Sequence, residues 1–303
     1  MTAPLVFIIV LNWNGQADTL QCLGSLQKLD YPNFEILVVD NGSTDGSEEA
    51  ICSSFPSVRV VQTGENLGYA GGNNVGIRFA LEHGADYVWL LNNDTTVDPK
   101  SLTALIETAQ ADPQIAFTGS KIYFYDKPNM IWCVGGTIDL AEGGRTDHPG
   151  MGQEDTGQFD TVADVGYVSG CSLLASRSAI KAIDLMPEEY FLYFEETDWN
   201  VAAQRSGFRT VQAATSHVWH KYAEVGEYKD RFIYYSFRNR IQIVRKYAPK
   251  HVLKAVKVNL DLLAGHIASA PERAWSLRRI AFLAHLDALL GRTGQVRWRT
   301  INK

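Results

Sequence analysis

The sequence predicts an α/β fold, a mostly parallel sheet flanked by helices, with a helical carboxy-terminal extension. Three observations point there. Apolar runs rich in β-branched residues alternate four times with helix-patterned segments through Leu91, as expected of βαβ units whose crossovers cover both faces of a parallel sheet. The runs end at small oxygen-bearing side chains, Asn12, Asp40 and the Asn92-Asn93-Asp94 group, with Asn66 following the third run, and such sheets bind ligands at the carboxyl ends of their strands. From about Tyr228 onward the pattern becomes helical.

The first strand spans Leu5 to Leu11, continuously apolar as a strand buried on both faces should be. "ADTLQCLGSLQKL" then repeats with helical spacing, and "FEILVVD" is the second strand, stopping at Asp40. "NGSTDGS" supplies turn residues, with Thr44 or Asp45 as caps for a helix over Glu48 to Ser54. Val58 to Gln62 is the third strand. It leads into "GENLGYAGGNNVG", where Gly71 and Gly72 let a backbone approach a ligand closely and Asn74 can reach a polar group. A helix to about His83 and a strand from Tyr87 to Leu91 complete the alternation. Beyond residue 113 the pattern is irregular: "IWCVGGTIDL" and "DVGYVSGCSLLASR" read as short strands. "EGGRTDHPGMGQEDTGQ" reads as a Gly- and charge-rich loop long enough to be a mobile lid.

With 303 residues, 46% of them hydrophobic, the chain can bury a sizeable core. It contains no run of 18 apolar residues and no signal-peptide pattern, so a cytoplasmic protein that does not span a membrane is expected. Cys22, Cys52, Cys133 and Cys171 are scattered without CxxC spacing, which argues for thiols rather than a disulfide framework or a zinc site. The glycosylation patterns at Asn41 and Asn93 carry little weight without a secretory signal. Neither a GxxxxGK[ST] phosphate loop nor a GxGxxG turn after the first strand is present, which disfavours an ATPase or an ordinary dehydrogenase.

In their place stand Asn12-Trp13-Asn14, "VVDNGSTDGS", "NLGYAGGNNVG" and "LLNNDTTVD". This arrangement resembles glycosyltransferase family 2, whose members have the GT-A fold, from about residue 5 to residue 245. It is similar above all to the bacterial rhamnosyltransferase-like branch that builds cell-surface polysaccharides. The resemblance implies a GT-A catalytic domain over residues 1–227, with a nucleotide-sugar half to about 112 and an acceptor half beyond it, followed by a basic helical region over 228–303. It further implies inverting, metal-dependent transfer of a sugar from dTDP-rhamnose or a UDP-sugar to a cell-surface polysaccharide or lipid-linked glycan acceptor.

Residue roles follow from the same resemblance. Asn92-Asn93-Asp94 takes the place of the family's Asp-x-Asp metal motif, with Asp94 as the firm ligand for Mg²⁺ or Mn²⁺; diphosphate oxygens and waters supply most of the remaining coordination. Asn92 stands where many relatives have Asp, which removes one negative charge. Asp40 contacts the imide and ribose of the donor, consistent with a carboxylate's acceptor-only chemistry, and Leu11 and Asn12 flank the base. Asn66, Gly71, Asn74 and Asn93 complete the donor set. In "EEYFLYFEETDWN" the catalytic base falls on Glu196, with Glu195 as the rival and Asp198 close by; a carboxylate there would take the acceptor proton. His220 in "HVWHK" joins the metal site. Arg238, in "YYSFRNR", which matches the family's Tyr-Tyr-x-x-Arg-Asn pattern, braces the leaving diphosphate or an acceptor phosphate, and Trp132, Trp199 and Tyr167 are candidates for a sugar platform.

The charge is uneven. Of the net −6, residues Arg245 to Lys303 contribute 12 Lys+Arg against 3 Asp+Glu, about +9, and leave about −15 for the rest. Apolar residues at helical spacing among these cations suit an anionic membrane surface; packing on the catalytic domain or on a second copy in a homodimer is the alternative. No nucleic-acid partner is expected. Two other functions compete: a nucleotidyltransferase, which needs a basic triphosphate loop absent from "LNWNGQAD", and a non-enzymatic sugar-nucleotide module, which has no use for Glu196.

Overall fold

A computed structural model describes residues 3–221 and 227–296. The chain runs β1 (Val6–Asn12), α1 (Gln16–Leu26), β2 (Phe34–Asp40), α2 (Ser47–Ser54), β3 (Arg59–Gln62), α3 (Gly68–Glu82), β4 (Tyr87–Asn92), β5 (Thr95–Val97) and α4 (Ser101–Gln110). The second half adds β6 (Ile115–Phe124), β7 (Lys127–Cys133), β8 (Thr137–Asp139), β9 (Arg145–Asp147), β10 (Ala163–Asp164), β11 (Ser172–Ser176), α5 (Arg177–Ile183), α6 (Glu195–Arg205) and β12 (Arg209–His220). Three helices follow, α7 (Glu227–Tyr247), α8 (Val252–Ser269) and α9 (Ala274–Leu289).

The main sheet is ordered β3-β2-β1-β4-β11-β6-β12-β10. β1 pairs in parallel with both β2 and β4, in a register that sets Asn12 opposite Asp40 and Leu11 opposite Asn92. Two strands of this order run against the others: β11, inserted antiparallel between β4 and β6, and the edge strand β10, antiparallel to β12. Because side chains alternate across a strand, β1 feeds two cores. Val6, Ile8 and Val10 pack with Cys22, Leu23, Ile51 and Leu105 from α1, α2 and α4. Phe7 and Ile9 pack with Ala70, Ile77, Ala179 and Trp199 from α3, α5 and α6. This is the GT-A arrangement of a mostly parallel sheet between helical layers, with a helical extension at the carboxyl end.

Several sequence expectations are revised. α3 begins at Gly68, so Gly71 and Gly72 lie inside a helix rather than in a loop. Their freedom serves packing: a Cβ on Gly72 would sit 2.4 Å from Leu11 Cδ1, and one on Gly76 would sit 2.7 Å from Ile9 Cγ2. The residue preceding α2 is Gly46, in the left-handed conformation. Asp45 accepts from the amides of Gln16 and Ser47 and so ties the starts of α1 and α2 together.

Strands β6 and β12 went unread. Nine of the ten residues of β6 are buried, including Lys121, whose ammonium lies 2.8 Å from Asp155 and 2.6 Å from Asp160. A lysine in mid-strand breaks the apolar pattern unless its remote partners are known. The same pairs pin the expected lid. Asp155 also accepts from the Tyr123 hydroxyl, and backbone bonds join Ile131 to Gly152 and Gln153. The segment read as a mobile loop is thus laid against β6 and β7.

In the carboxy-terminal region Ile233, Phe237, Leu263, Leu277 and Ile280 bury the inner faces of α7, α8 and α9 against one another. Trp275, Phe282 and Leu289 of α9 and Leu253 of α8 stay exposed. No helix among the described residues is long and apolar enough to cross a membrane. Of the expected basic tail, Arg297, Arg299 and Lys303 lie outside the described residues, as do residues 222–226 of "TSHVWHKYAEVGEY".

Candidate active site

The donor edge is assembled by the ends of β1, β2 and β4. Asp40 is fully buried; its carboxylate accepts from Asn12 Nδ2 at 2.9 Å and from the Ser43 amide at 2.7 Å. The second bond is the Asx turn that opens "NGSTDG". Asn12 Oδ1 in turn accepts from the Thr19 hydroxyl, the Gly15 amide and, at 3.3 Å, Asn93 Nδ2. Asn12 and Asn93 are therefore the braces that set the geometry of the edge. Asn41, noted in the sequence only as a glycosylation pattern, donates to Asn66 Oδ1 and the Gly68 carbonyl and so fixes the turn into α3. Asn14, part of the Asn12-Trp13-Asn14 motif, adopts φ 52° and accepts from the Thr44 amide. Leu11 is partly exposed beside Gly72.

Asn92-Asn93-Asp94, expected from the sequence to be the metal motif, forms the turn between β4 and β5. Asp94 Oδ1 lies 3.2 Å from His220 Nε2, brought there because the end of β12 pairs with β5, His220 opposite Thr95. That oxygen is buried and no donor among the described residues is aligned on it. Trp132 packs edge-on against His220 with ring centroids 4.6 Å apart. No group of three or more His, Cys, Asp or Glu side chains is arranged around one point among the described residues. One carboxylate, one imidazole and the half-buried Asn92 make a small donor set. It suits a hard divalent cation that takes most of its oxygens from a diphosphate and water, and it does not suit an all-protein cage.

The acids lie at the amino end of α6. Glu195 is 2% exposed and Glu196 half-buried, and the Oε2 atom of each is buried without a donor among the described residues. Burial pushes the Glu195 carboxyl well above its ordinary range, and the charge of Glu196 beside it adds to the rise. Burial raises Glu196 as well, opposed by its own amide and that of Thr197 at the helix start. Tyr69 and Tyr167 are both pushed up, chiefly by burial, and the charge of Glu196 adds to the rise in each. The Tyr69 hydroxyl donates to the Gly170 carbonyl, one residue before Cys171, whose carbonyl accepts from the Asn92 amide. The two ends of the site are thus linked through residues 170–171.

The loop that delivers these acids is strained. Phe191, Tyr193 and Phe194 have φ of 65°, 66° and 76°, each costing a non-glycine residue about 1–3 kcal/mol. Outliers of this kind persist only where surrounding contacts over-determine them. Here Asn239 and Arg238 supply those contacts; Asn239 is the last residue of the Tyr-Tyr-x-x-Arg-Asn pattern, to which the sequence assigned no role of its own.

Other candidates occupy different roles. Arg238 is buried, with its guanidinium donating to Asn239 Oδ1 and the carbonyls of Gly294 and Tyr190, which holds it within the protein rather than on a diphosphate. Asn74 donates to the Met186 carbonyl and Glu188. Asp198 accepts from Tyr190, Tyr247 and Lys246 and joins α6 to α7. Trp199 is a core residue, its ring 4.6 Å from Phe117 and its indole bonded to the Asp184 carbonyl. Of the three expected platform aromatics, Trp132 alone lies against the metal motif.

Comparison with known proteins bears on the family and the fold. The family model described as glycosyl transferase family 2 matches residues 7–183. The chain is 29% identical over 218 residues, 65% of its length and 70% of the relative's, to N-acetylglucosaminyl-diphospho-decaprenol L-rhamnosyltransferase of Mycobacterium tuberculosis. It is 23% identical over 262 residues, 84% of its length and 80% of the relative's, to the low-salt glycan biosynthesis hexosyltransferase of Haloferax volcanii. Among solved structures, a mannosyltransferase from Pyrobaculum calidifontis in complex with GDP-Man and Mn²⁺ superposes with a TM-score of 0.59 at 16% identity, covering 95% of this chain and 88% of the other.

Proposed function

The chain belongs to glycosyl transferase family 2, and on that premise we propose that it transfers a sugar, rhamnose foremost, from a nucleoside-diphosphate donor to a lipid-linked or cell-surface glycan, inverting the anomeric carbon. The observation that carries this reading is the placement of Glu196. It is a half-buried carboxylate with its Oε2 unbonded, at the amino end of α6 and linked through residues 170–171 to the edge that bears Asp40 and Asp94.

In this reading Asp40, Leu11 and Asn12 receive the nucleoside, and Asp94 with His220 and Asn92 would hold Mg²⁺ or Mn²⁺ beside the diphosphate. A bound cation supplies neutralisation of the charge on the departing diphosphate. The acceptor hydroxyl oxygen attacks C1 from the face opposite the diphosphate. Its O–H proton passes to Glu196 while the C1–O bond breaks and its electron pair leaves with the diphosphate. Glu195, more deeply buried, is disposed to retain a proton and so to keep a second charge away from Glu196.

The outer face of α9 supports a peripheral position at an anionic membrane holding the acceptor. Trp275, Arg278, Phe282 and Leu289 recur at one helical face, and the first, third and fourth are 73%, 65% and 62% exposed. Incubation of labelled dTDP-rhamnose and UDP-sugars with lipid-linked acceptor, with and without Mn²⁺, tests the proposal. Glycan extended with an inverted linkage is the expected product; donor binding without transfer to any acceptor in the panel overturns it in favour of a sugar-nucleotide-binding module.

A further inference from the structure

We propose that Asn239 is a positioning residue for the acid pair: from α7 it holds the strained 190–194 loop that presents Glu195 and Glu196, which makes the first carboxy-terminal helix part of the catalytic machinery. The inference rests on the reading that this pair contains the base. Asn239 is fully buried. Its Nδ2 lies 3.1, 2.8 and 2.7 Å from the carbonyl oxygens of Tyr190, Leu192 and Tyr193. Two N–H bonds thus serve three acceptors. Its Oδ1 accepts from Arg238 Nε at 2.9 Å, which sets the amide the right way round, since the guanidinium can only donate. Arg238 Nη2 adds a bond to the Tyr190 carbonyl at 2.8 Å.

The remaining carbonyl is held from the opposite side. Phe191 O accepts from the Tyr69 amide of α3 at 2.8 Å, and a Cβ on Gly68 would fall 2.3 Å from it. Four successive carbonyls, 190 to 193, are thereby fixed by α7 and α3 together, two of them on the left-handed residues Phe191 and Tyr193. The chain then enters α6 directly at Glu195, so a change in these dihedrals moves both carboxylates. A contact that merely stabilised packing between α7 and the body would not need every carbonyl of the turn.

The test compares Asn239→Ala, which removes the donors, with Gly68→Ala, which displaces the same loop from α3 without touching α7. Glu195→Gln and Glu196→Gln serve as references. Donor affinity is measured by calorimetry, and kcat is followed across pH. The carboxylates are faced by each other, by Tyr69 of α3, by Cys133 at the end of β7 and by Tyr167, and all of these are left intact in the two loop variants.

Both loop variants are expected to lower kcat at saturating donor on the order of a hundredfold, the effect of roughly an ångström of misplacement, and Asn239→Ala, remote from the donor edge, to keep donor affinity within about threefold. The acidic limb of kcat should move to lower pH as the loosened acids gain water. An unchanged kcat and an unchanged limb in folded protein, even with a lowered melting temperature, overturn the proposal and leave Asn239 a packing residue. Should Asn239→Ala not fold, Gly68→Ala decides alone by the same two readouts. If neither Glu→Gln variant lowers kcat, the reading of the acids has failed; if one does and the loop variants are silent, only the clamp has failed.

Discussion

The donor edge and the acid loop reach the same site by opposite means. At the donor edge, Asn12, Asp40 and Asn92 sit where parallel strands end, in register with one another. Their partners are near in space because the sheet makes them so, and the bonds among Asn12, Asp40, Ser43 and Thr19 satisfy one another locally. At the acid loop, three left-handed non-glycine residues precede Glu195, held by Asn239 from 46–49 positions away in the chain. A strand end needs little besides the sheet to aim a ligand, whereas a strained turn must be held from outside. Donor binding should therefore be the robust property of this protein and turnover the fragile one.

The sharpest way to separate the two regions is Glu196→Gln. It should leave donor affinity unchanged and lower turnover on the order of a hundredfold or more, the effect of a positioned general base. If the large loss appears instead in Glu195→Gln, the base is the deeper acid. Asp94→Ala addresses the other region: nucleoside diphosphate binding in Mn²⁺ should weaken roughly tenfold or more, to the level seen in chelator, because the one carboxylate of the motif is gone. Equal calorimetric affinities for the variant and the parent in Mn²⁺ would detach the metal from Asp94.

A smaller effect distinguishes the regions by pH. Glu195 has its folded pKa raised by burial and by Glu196, so the folded state holds this proton more tightly than the unfolded chain. Its contribution to stability is fully present below the unfolded value and is lost as pH rises through the folded one. Glu195→Gln, which cannot ionise, should therefore gain in melting temperature relative to the parent at pH 8 and show little gain at pH 5. A difference independent of pH would contradict the burial of an ionisable group there.

The smallest expected effect concerns the outer face of α9. Exchanging Trp275 and Phe282 together for Ser should reduce co-sedimentation with phosphatidylglycerol vesicles at low salt several-fold, with transfer to a soluble acceptor analogue unchanged. Surface substitutions are preferable to truncation near Lys250, which would strip Leu263, Leu277 and Ile280 from the inner face of α7 and so disturb the clamp. Equal vesicle binding by parent and variant removes the membrane role from this face.

The sequence by itself determined the repeating strand-and-helix plan, the strand ends at Asn12, Asp40 and Asn92, and the acids in "FEET". Each is a local signal: apolar runs with period and length, turn residues at their ends, and carboxylates at a helix start. Only the tertiary structure decided how the polar residues between them are used. Lys121 stands within a buried strand because Asp155 and Asp160 meet it. Gly71 and Gly72 lie in a helix, with Gly72 against Leu11 of β1, rather than in a loop beside a ligand. Arg238 and Asn74 satisfy backbone carbonyls instead of facing a ligand, and Asn239, given no role by the pattern that contains it, holds the loop before the acids. A buried polar group must find a partner, but which partner depends on contacts that bring distant parts of the chain together, and no local pattern of residues records them.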